Sequence, residues 1–343
     1  MSLSASVALY LAAGAGALPP VPAPPINTAT VVAKQETVPV GTAAADAADD
    51  PAIWRNPKAP ARSLIVATDK KAGLYVYGMD GKVRHFLAGG RLNNVDLIDM
   101  GRTGVIVVAS DRNDEAQALL QIYRLNTQSG ELTALGSVTG GQGEAYGVCL
   151  MRSGRALDAF SVLKHGAIHR VSISFGKDAP SGRVVQSMQL ATQTEGCVAD
   201  SRTDTLYVGE EDRGIWAFDL GKKSDQPRLV APVDGTHLVA DVEGLALLPK
   251  GRRGGWLVAS SQGDNAYALY RLPDLKPDGR FRIAAGQFGS TEETDGIALM
   301  PGRFGPGFPS GLFVAQDGDN APAAQNFKFV SLRDVVKVIG AGK

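Results

Sequence analysis

Cysteine is almost missing from the 343 residues, with two in all, and histidine is scarce, with four. Two cysteines cannot supply a disulfide scaffold, so the fold must rest on a large buried core. Few histidines and no His-rich motif suit zinc or iron less well than an oxygen-ligated cation. Neither charge prevails, since Lys plus Arg and Asp plus Glu both total 35, which argues against a nucleic-acid partner. No apolar run is long enough to cross a bilayer, and helical periodicity is nearly absent. Hydrophobic residues at 44% exclude a disordered chain.

What is present begins with Val7 to Leu18, a short apolar run followed by the proline-rich stretch Pro19 to Pro25. It reads as the hydrophobic part of a secretory signal with Ala15-Gly16-Ala17 as cleavage motif, although no Lys or Arg precedes it. The expectation is a signal peptide or disordered segment over 1–26, a folded domain over 27–343, and a secreted or periplasmic location. Cys149 and Cys197 both open apolar runs. Buried free thiols are the default reading for them, and export leaves a disulfide between them open.

Short β-rich runs bounded by Gly, Asp, Asn and Pro recur along the chain. A polar residue or pair before an apolar strand marks each repeat: Asp50-Pro51-Ala52, Asn94-Val95-Asp96, Tyr146-Gly147-Val148, Glu195-Gly196-Cys197, Glu243-Gly244-Leu245 and Asp295-Gly296-Ile297. The second residues fall at 51, 95, 147, 196, 244 and 296, a period near 50. An aromatic-rich strand such as Leu74-Tyr75-Val76-Tyr77 follows in each of the first five. That period, with several strands per repeat, predicts an all-β, six-bladed β-propeller whose last blade is completed by residues near Thr30 to Val40.

Antiparallel pairing sends the residues before the first strand and after the second to the same end of a blade. One rim then gathers Asp49, Asp50, Glu195, Glu211, Asp241, Glu243, Asp295 and the Asp317–Asn320 loop, with Lys70, Lys71, Arg112, Lys164 and His165 on blades one to three. Crowded carboxylates repel one another, and Ca²⁺ with six to eight oxygen ligands relieves that repulsion. Lys70, Lys71, Arg112 and Lys164, with the Tyr146 hydroxyl, suit phosphate oxygens.

The ordered motifs Asp46-Ala47-Ala48-Asp49-Asp50-Pro51-Ala52-Ile53-Trp54, Lys70-Lys71-Ala72-Gly73-Leu74, Arg91-Leu92-Asn93-Asn94-Val95-Asp96, Thr194-Glu195-Gly196, Glu210-Glu211-Asp212, Ala240-Asp241-Val242-Glu243-Gly244, Thr294-Asp295-Gly296 and Phe313-Val314-Ala315-Gln316-Asp317-Gly318 carry a resemblance. The sequence resembles the β-propeller phytases, calcium-dependent alkaline phytases. The resemblance implies hydrolysis of phytate by water activated between calcium ions, without a phosphoenzyme, at adjacent cleavage and affinity sites. It implies that Glu195, Lys70, Arg112, Tyr146 and Lys164 are catalytic. Phosphate binding would fall to Lys70, Lys71, Arg112, Tyr146, Lys164 and His165. Glu195, Glu211, Asp241, Glu243 and Asp295, with Asp49 and Asn320, would bind calcium, and Asp50 with the Pro51 and Val95 carbonyls would form a structural site. Two departures stand out: His165 where the family has Glu, and a shorter, less acidic loop over Asp319–Gln325. The expected partner is phytate or calcium-phytate, with no nucleic acid or membrane, and the chain is read as a monomer.

Other phosphatase signatures are decoys. Lys164-His165-Gly166 lacks the flanks of a histidine acid phosphatase, and Cys149 with Arg155 falls on a strand and turn, not a phosphate-cradling loop. A calcium-dependent lactonase or sugar esterase, or a non-catalytic propeller scaffold, are the competing functions.

Overall fold

Along the second strand of the first blade, Leu64 and Val66 pack to one side while Ile65 and Ala67 pack to the other. Alternate side chains therefore enter two different cores, and the whole strand is buried. The computed structural model describes residues 27–43, 46–154, 156–176, 179–222 and 226–340. They form six sheets, each built on antiparallel neighbours in chain order. Blade I runs Ala48–Trp54, Leu64–Asp69, Gly73–Gly78 and Val83–Ala88, and blade II runs Leu92–Asp99, Val105–Asp111, Gln117–Leu125 and Leu132–Gln142. Blade III comprises Ala145–Ser153, Ala156–Leu163, Ala167–Ser174 and Ser181–Gln189. Blade IV comprises Thr194–Asp200, Thr205–Glu210, Gly214–Asp219 and Arg228–Pro232. Blade V has Val242–Lys250, Gly254–Ser261, Ala266–Leu272 and Lys276–Ala284, and blade VI has Ile297–Pro301, Gly311–Asp317 and Asn326–Ser331. First strands touch in cyclic order, the last meeting the first, so the ring is closed.

Six large apolar clusters occupy the six interfaces between neighbouring blades. No single centre holds the core. The third-strand aromatics supply much of it: Tyr267 of blade V packs on Phe281 and Phe313, with ring centroids 5.0 and 5.1 Å away. The fourth strands face solvent on one side, and Val83–Ala88 alternates between exposed and half-buried residues.

The N-terminal segment closes the ring as expected, but it divides between two blades. Gln35–Glu36 pairs antiparallel with Asn326–Ser331 as the fourth strand of blade VI. Ala29–Val32 instead pairs parallel with Lys276–Ala284, giving blade V a fifth strand. Val31 is buried in the core between those blades, which accounts for the crossing. The default reading of the cysteines is corrected, because Cys149 and Cys197 are disulfide-bonded with Cα atoms 5.8 Å apart. Neighbouring first strands place repeat-related positions side by side, and these two lie 48 residues apart. The helix Leu332–Gly340 covers blades V and VI. No helix among the described residues is long and apolar enough to cross a membrane. The expected leader, 1–26, lies outside the described residues.

Candidate active site on the acidic rim

The repeated polar pair turns out to be a repeated β-bulge. In blades I to V the register of the first strand slips once, at Asp49-Asp50, Asn93-Asn94, Tyr146-Gly147, Glu195-Gly196 and Glu243-Gly244. In blade VI Asp295-Gly296 sits just before the strand. A bulge breaks the alternation of side chains and re-aims them. The glycines let bulges nest: a Cβ on Gly147 would lie 1.9 Å from the Glu195 carbonyl oxygen, and one on Gly196 2.2 Å from that of Glu243. Backbone bonds continue the ring, with Gly244 N donating to Asp295 O (2.8 Å) and Gly296 N to Asp49 O (3.2 Å).

This ring concentrates negative charge. Glu195, Glu211 and Glu243 each offer an oxygen, and the three oxygens lie within 4.8 Å of one another. Asp49, Glu195 and Glu243 are buried. Burial raises the pKa of Glu195 well above the ordinary range, and the Asp49 charge adds to this against the pull of Lys70. Burial and then Glu195 do the same to Glu243. Asp49 Oδ1, Glu211 Oε1 and Glu243 Oε2 are buried without a hydrogen-bond partner. Buried acceptors left unmade are costly. Hard divalent cations take oxygen ligands of this kind, so the residues fit calcium.

Glu195 is fixed by side chains that sequence reasoning left out of the site. Asn93 Nδ2 donates to Glu195 Oε1 at 2.7 Å. The Asn94 amide, with its nitrogen turned inward, donates to the same oxygen and to the Tyr146 carbonyl, both at 2.9 Å. Their signal was position: they occupy the bulge that carries Asp49-Asp50 one blade earlier. Asp295 is held likewise, accepting from Gln262 Nε2 at 2.6 Å, while its N–H donates to Gln316 Oε1 at 2.8 Å. A cleft of about 510 Å³ opens beside Asp46 and Asp295.

The expected cationic arc is divided. Lys70 lies inside the acidic group, 2.9 Å from Asp49 Oδ2 and 2.9 Å from Asp295 Oδ2, and is also paired with Asp46. Lys71 is exposed and reaches Asp46 at 3.4 Å. Arg112 and Lys164 instead flank Tyr146, lying 5.4 and 5.0 Å from its ring centroid. Both lean on Glu144, at 3.4 and 3.8 Å, another residue left out of the sequence-based site. Burial and the neighbouring Glu195, Glu211 and Glu243 push the Tyr146 hydroxyl pKa up. Tyr146 is therefore where the basic pair meets the acidic ring.

Other expected residues lie apart. His165 is exposed at the rim beside Gly143, and its carbonyl accepts from Gln189 at 3.1 Å. Asp241 is half-buried beside Asp212, outside the three-glutamate group. Asn320 does not join the ring: its Oδ1 accepts from the buried Lys328 ammonium at 3.0 Å, which also binds Glu36 (2.6 Å) and Asp317 (3.0 Å). That ammonium takes the oxygens a cation would have used. Asp50, Pro51 and Val95 line an axial channel of about 400 Å³ below the ring, where Asp50 Oδ2 accepts from Val95 N at 3.1 Å. Burial, then Asp49, pushes the Asp50 carboxyl well up. Asp96, in the same channel, is raised to about 6 by burial.

A family model described as phytase matches residues 1–342. The 3-phytase of Bacillus subtilis (strain 168) is 37% identical over 332 residues, which cover 90% of this chain and 85% of that protein. A chain of the mitotic checkpoint complex matches with a TM-score of 0.54 at 15% identity, covering 91% of this chain and 98% of its own. The PQQ-bound form of aldose sugar dehydrogenase from Streptomyces coelicolor matches with a TM-score of 0.55 at 12% identity, covering 87% and 96%. At such identities the two structures speak for the propeller alone.

Proposed function

The chain belongs to the phytase family, and from that premise we propose that it is a calcium-dependent phosphoric monoester hydrolase releasing phosphate from phytate (inositol hexakisphosphate). The observation that carries the calcium reading is the set of buried carboxylate oxygens without partners around Glu195, Glu211 and Glu243. Calcium, when bound there, supplies charge neutralisation at phosphoryl oxygens and lowers the pKa of a water. Glu195, Glu211, Glu243, Asp49 and Asp295 would hold it, with Asp241 at the edge.

The chain's own groups then have separate tasks. Arg112 and Lys164 bind phosphate oxygens, held beforehand by Glu144 and by the face of Tyr146. Tyr146 stays protonated, because its raised pKa favours the neutral phenol, so it donates a hydrogen bond and does not attack. Asn93 and Asn94 keep Glu195 facing the reacting phosphate. Lys70 balances part of the acidic ring, and Lys71 beside it would bind a second phosphate. Asp50 with the Pro51 and Val95 carbonyls forms a separate cation site in the channel.

The domain spans 27–343, and the location is extracytoplasmic. The Cys149–Cys197 bond supports that location, since disulfides persist in oxidising compartments. The test is inorganic phosphate release from phytate with calcium and again with excess chelator. Release that depends on calcium is expected. No release with calcium present sinks the reading.

A further inference from the structure

The end of the propeller opposite the acidic rim carries its own charge. First strands run away from the rim, so the turns joining first to second strands emerge at the far end. These are residues 55–63, 99–104, 152–154, 200–204, 249–254 and 301–310, and together they hold ten Lys and Arg against three Asp. Every blade contributes: Arg62, Arg102, Arg152, Arg202, Arg252 and Arg303 represent the six in order. All but Arg202 are exposed, and among the described residues those five have no ion-pair partner. Neighbouring turns touch, since Arg55 Nε donates to the Arg303 carbonyl (3.2 Å) and Arg202 Nη1 to that of Gly254 (2.8 Å). Arg202, Pro249 and Pro301 line the channel at this end. The turns joining third to fourth strands share this end and, among the described residues, add Lys82 and Lys222 against Asp80, Glu131 and Asp274. The basic excess persists, and a chain of zero formal charge is polarised along its axis.

We propose that this basic end docks on an anionic lipid surface by charge alone, leaving the acidic rim turned to solvent. A ring of separate arginines presents charge to a plane and does not converge on one small anion. The turns expose no large apolar side chain for insertion; Phe86, Val184 and Leu229 are exposed, but on outer strands. They also offer no exposed aromatic platform on which bases could stack. The same surface repels the acidic rim, which sets the orientation. A second copy is the competing occupant, since Asp46, Asp212, Glu292 and Glu293 stand exposed on the rim, and self-association at low salt is the outcome that would favour it. The proposal departs from the sequence expectation of no membrane partner, which rested on the lack of an apolar span. It does not depend on the catalytic reading.

The test is co-sedimentation of the full chain with vesicles of phosphatidylglycerol and phosphatidylcholine, against pure phosphatidylcholine, at low and high ionic strength. Running it with calcium and with chelator separates docking from calcium bridging at the rim. Binding to the anionic vesicles alone is expected, lost at high salt and independent of calcium. The variant Arg102→Glu/Arg252→Glu/Arg303→Glu should bind at least about a hundredfold more weakly, with its melting temperature and its phosphate release in solution unchanged. Absent binding, equal binding by the variant, retention on soluble linear polyanions only, or low-salt self-association in place of vesicle binding would each overturn the proposal.

Discussion

Blade VI contributes to two carboxylate clusters, through Asp317 and through Asp295, and they are balanced differently. In one, Lys328 is fully buried and its ammonium meets Glu36, Asp317 and Asn320, so the cluster carries its own cation. In the other, the ion pairs among the described residues are those of Lys70 with Asp49 and Asp295, while Glu195, Glu211 and Glu243 have none, and three of the cluster's oxygens are left without partners. The first cluster ties the N-terminal strand to the last blade and so closes the ring. It is complete as folded. The second is short of positive charge, which marks it as a place for something from solution.

The sharpest way to break this contrast is Glu195→Gln, which keeps shape but removes charge. Turnover should fall about a thousandfold, roughly 4 kcal/mol in the barrier, and calcium affinity measured by titration calorimetry should fall with it; unchanged turnover would remove the rim from the chemistry. Next is Lys328→Met. Stranding Glu36 and Asp317 should cost about 3 kcal/mol in urea unfolding, equally with and without calcium. A loss under about 1 kcal/mol would mean that the closed cluster does not hold the ring. Third, calcium at about a hundred times its dissociation constant should add about 2.7 kcal/mol to the native protein. An unchanged melting temperature on chelation would argue against a cation in the acidic ring.

The pH response separates the clusters more gently. Glu195, Glu243 and Asp295 have raised pKa values in the fold, chiefly from burial. Their contribution to stability is full below the unfolded carboxylate range near about 4 and is lost as pH rises through the raised values. Chelated protein should therefore melt lower as pH climbs towards neutrality, while calcium flattens the profile; a flat profile without calcium would contradict the burial of these charges. The smallest effect is reserved for the exposed pair Lys222 and Asp219, 2.9 Å apart. Lys222→Ala should leave melting and turnover where they were.

Much of the fold was legible because each blade repeats one polar pair ahead of one apolar strand. Asp49-Asp50, Glu195-Gly196 and Glu243-Gly244 announce both the period and the rim. What the spacing could not reveal was three-dimensional pairing. Lys70 follows a second strand just as Arg112 does, yet one enters the carboxylates and the other stacks on Tyr146. Asn93 and Asn94 carry no charge, so nothing in a charge-based reading marks them as the grip on Glu195. Asn320 reads as a ligand in the sequence, whereas in the fold its oxygen accepts from Lys328, the direct cross-strand partner of Glu36. The N-terminal crossing from blade V to blade VI was hidden for a similar reason, since parallel pairing leaves no turn signal.

The bond between Cys149 and Cys197 has a practical consequence. It joins positions 48 apart and so closes a covalent loop that holds most of blade III. A protease that nicks the exposed turn near Gly154 would leave both fragments joined, migrating as one species until a reductant is added. Tyr146 and Glu195, each a few residues before its half of the bond, would stay tethered to a common point through such damage.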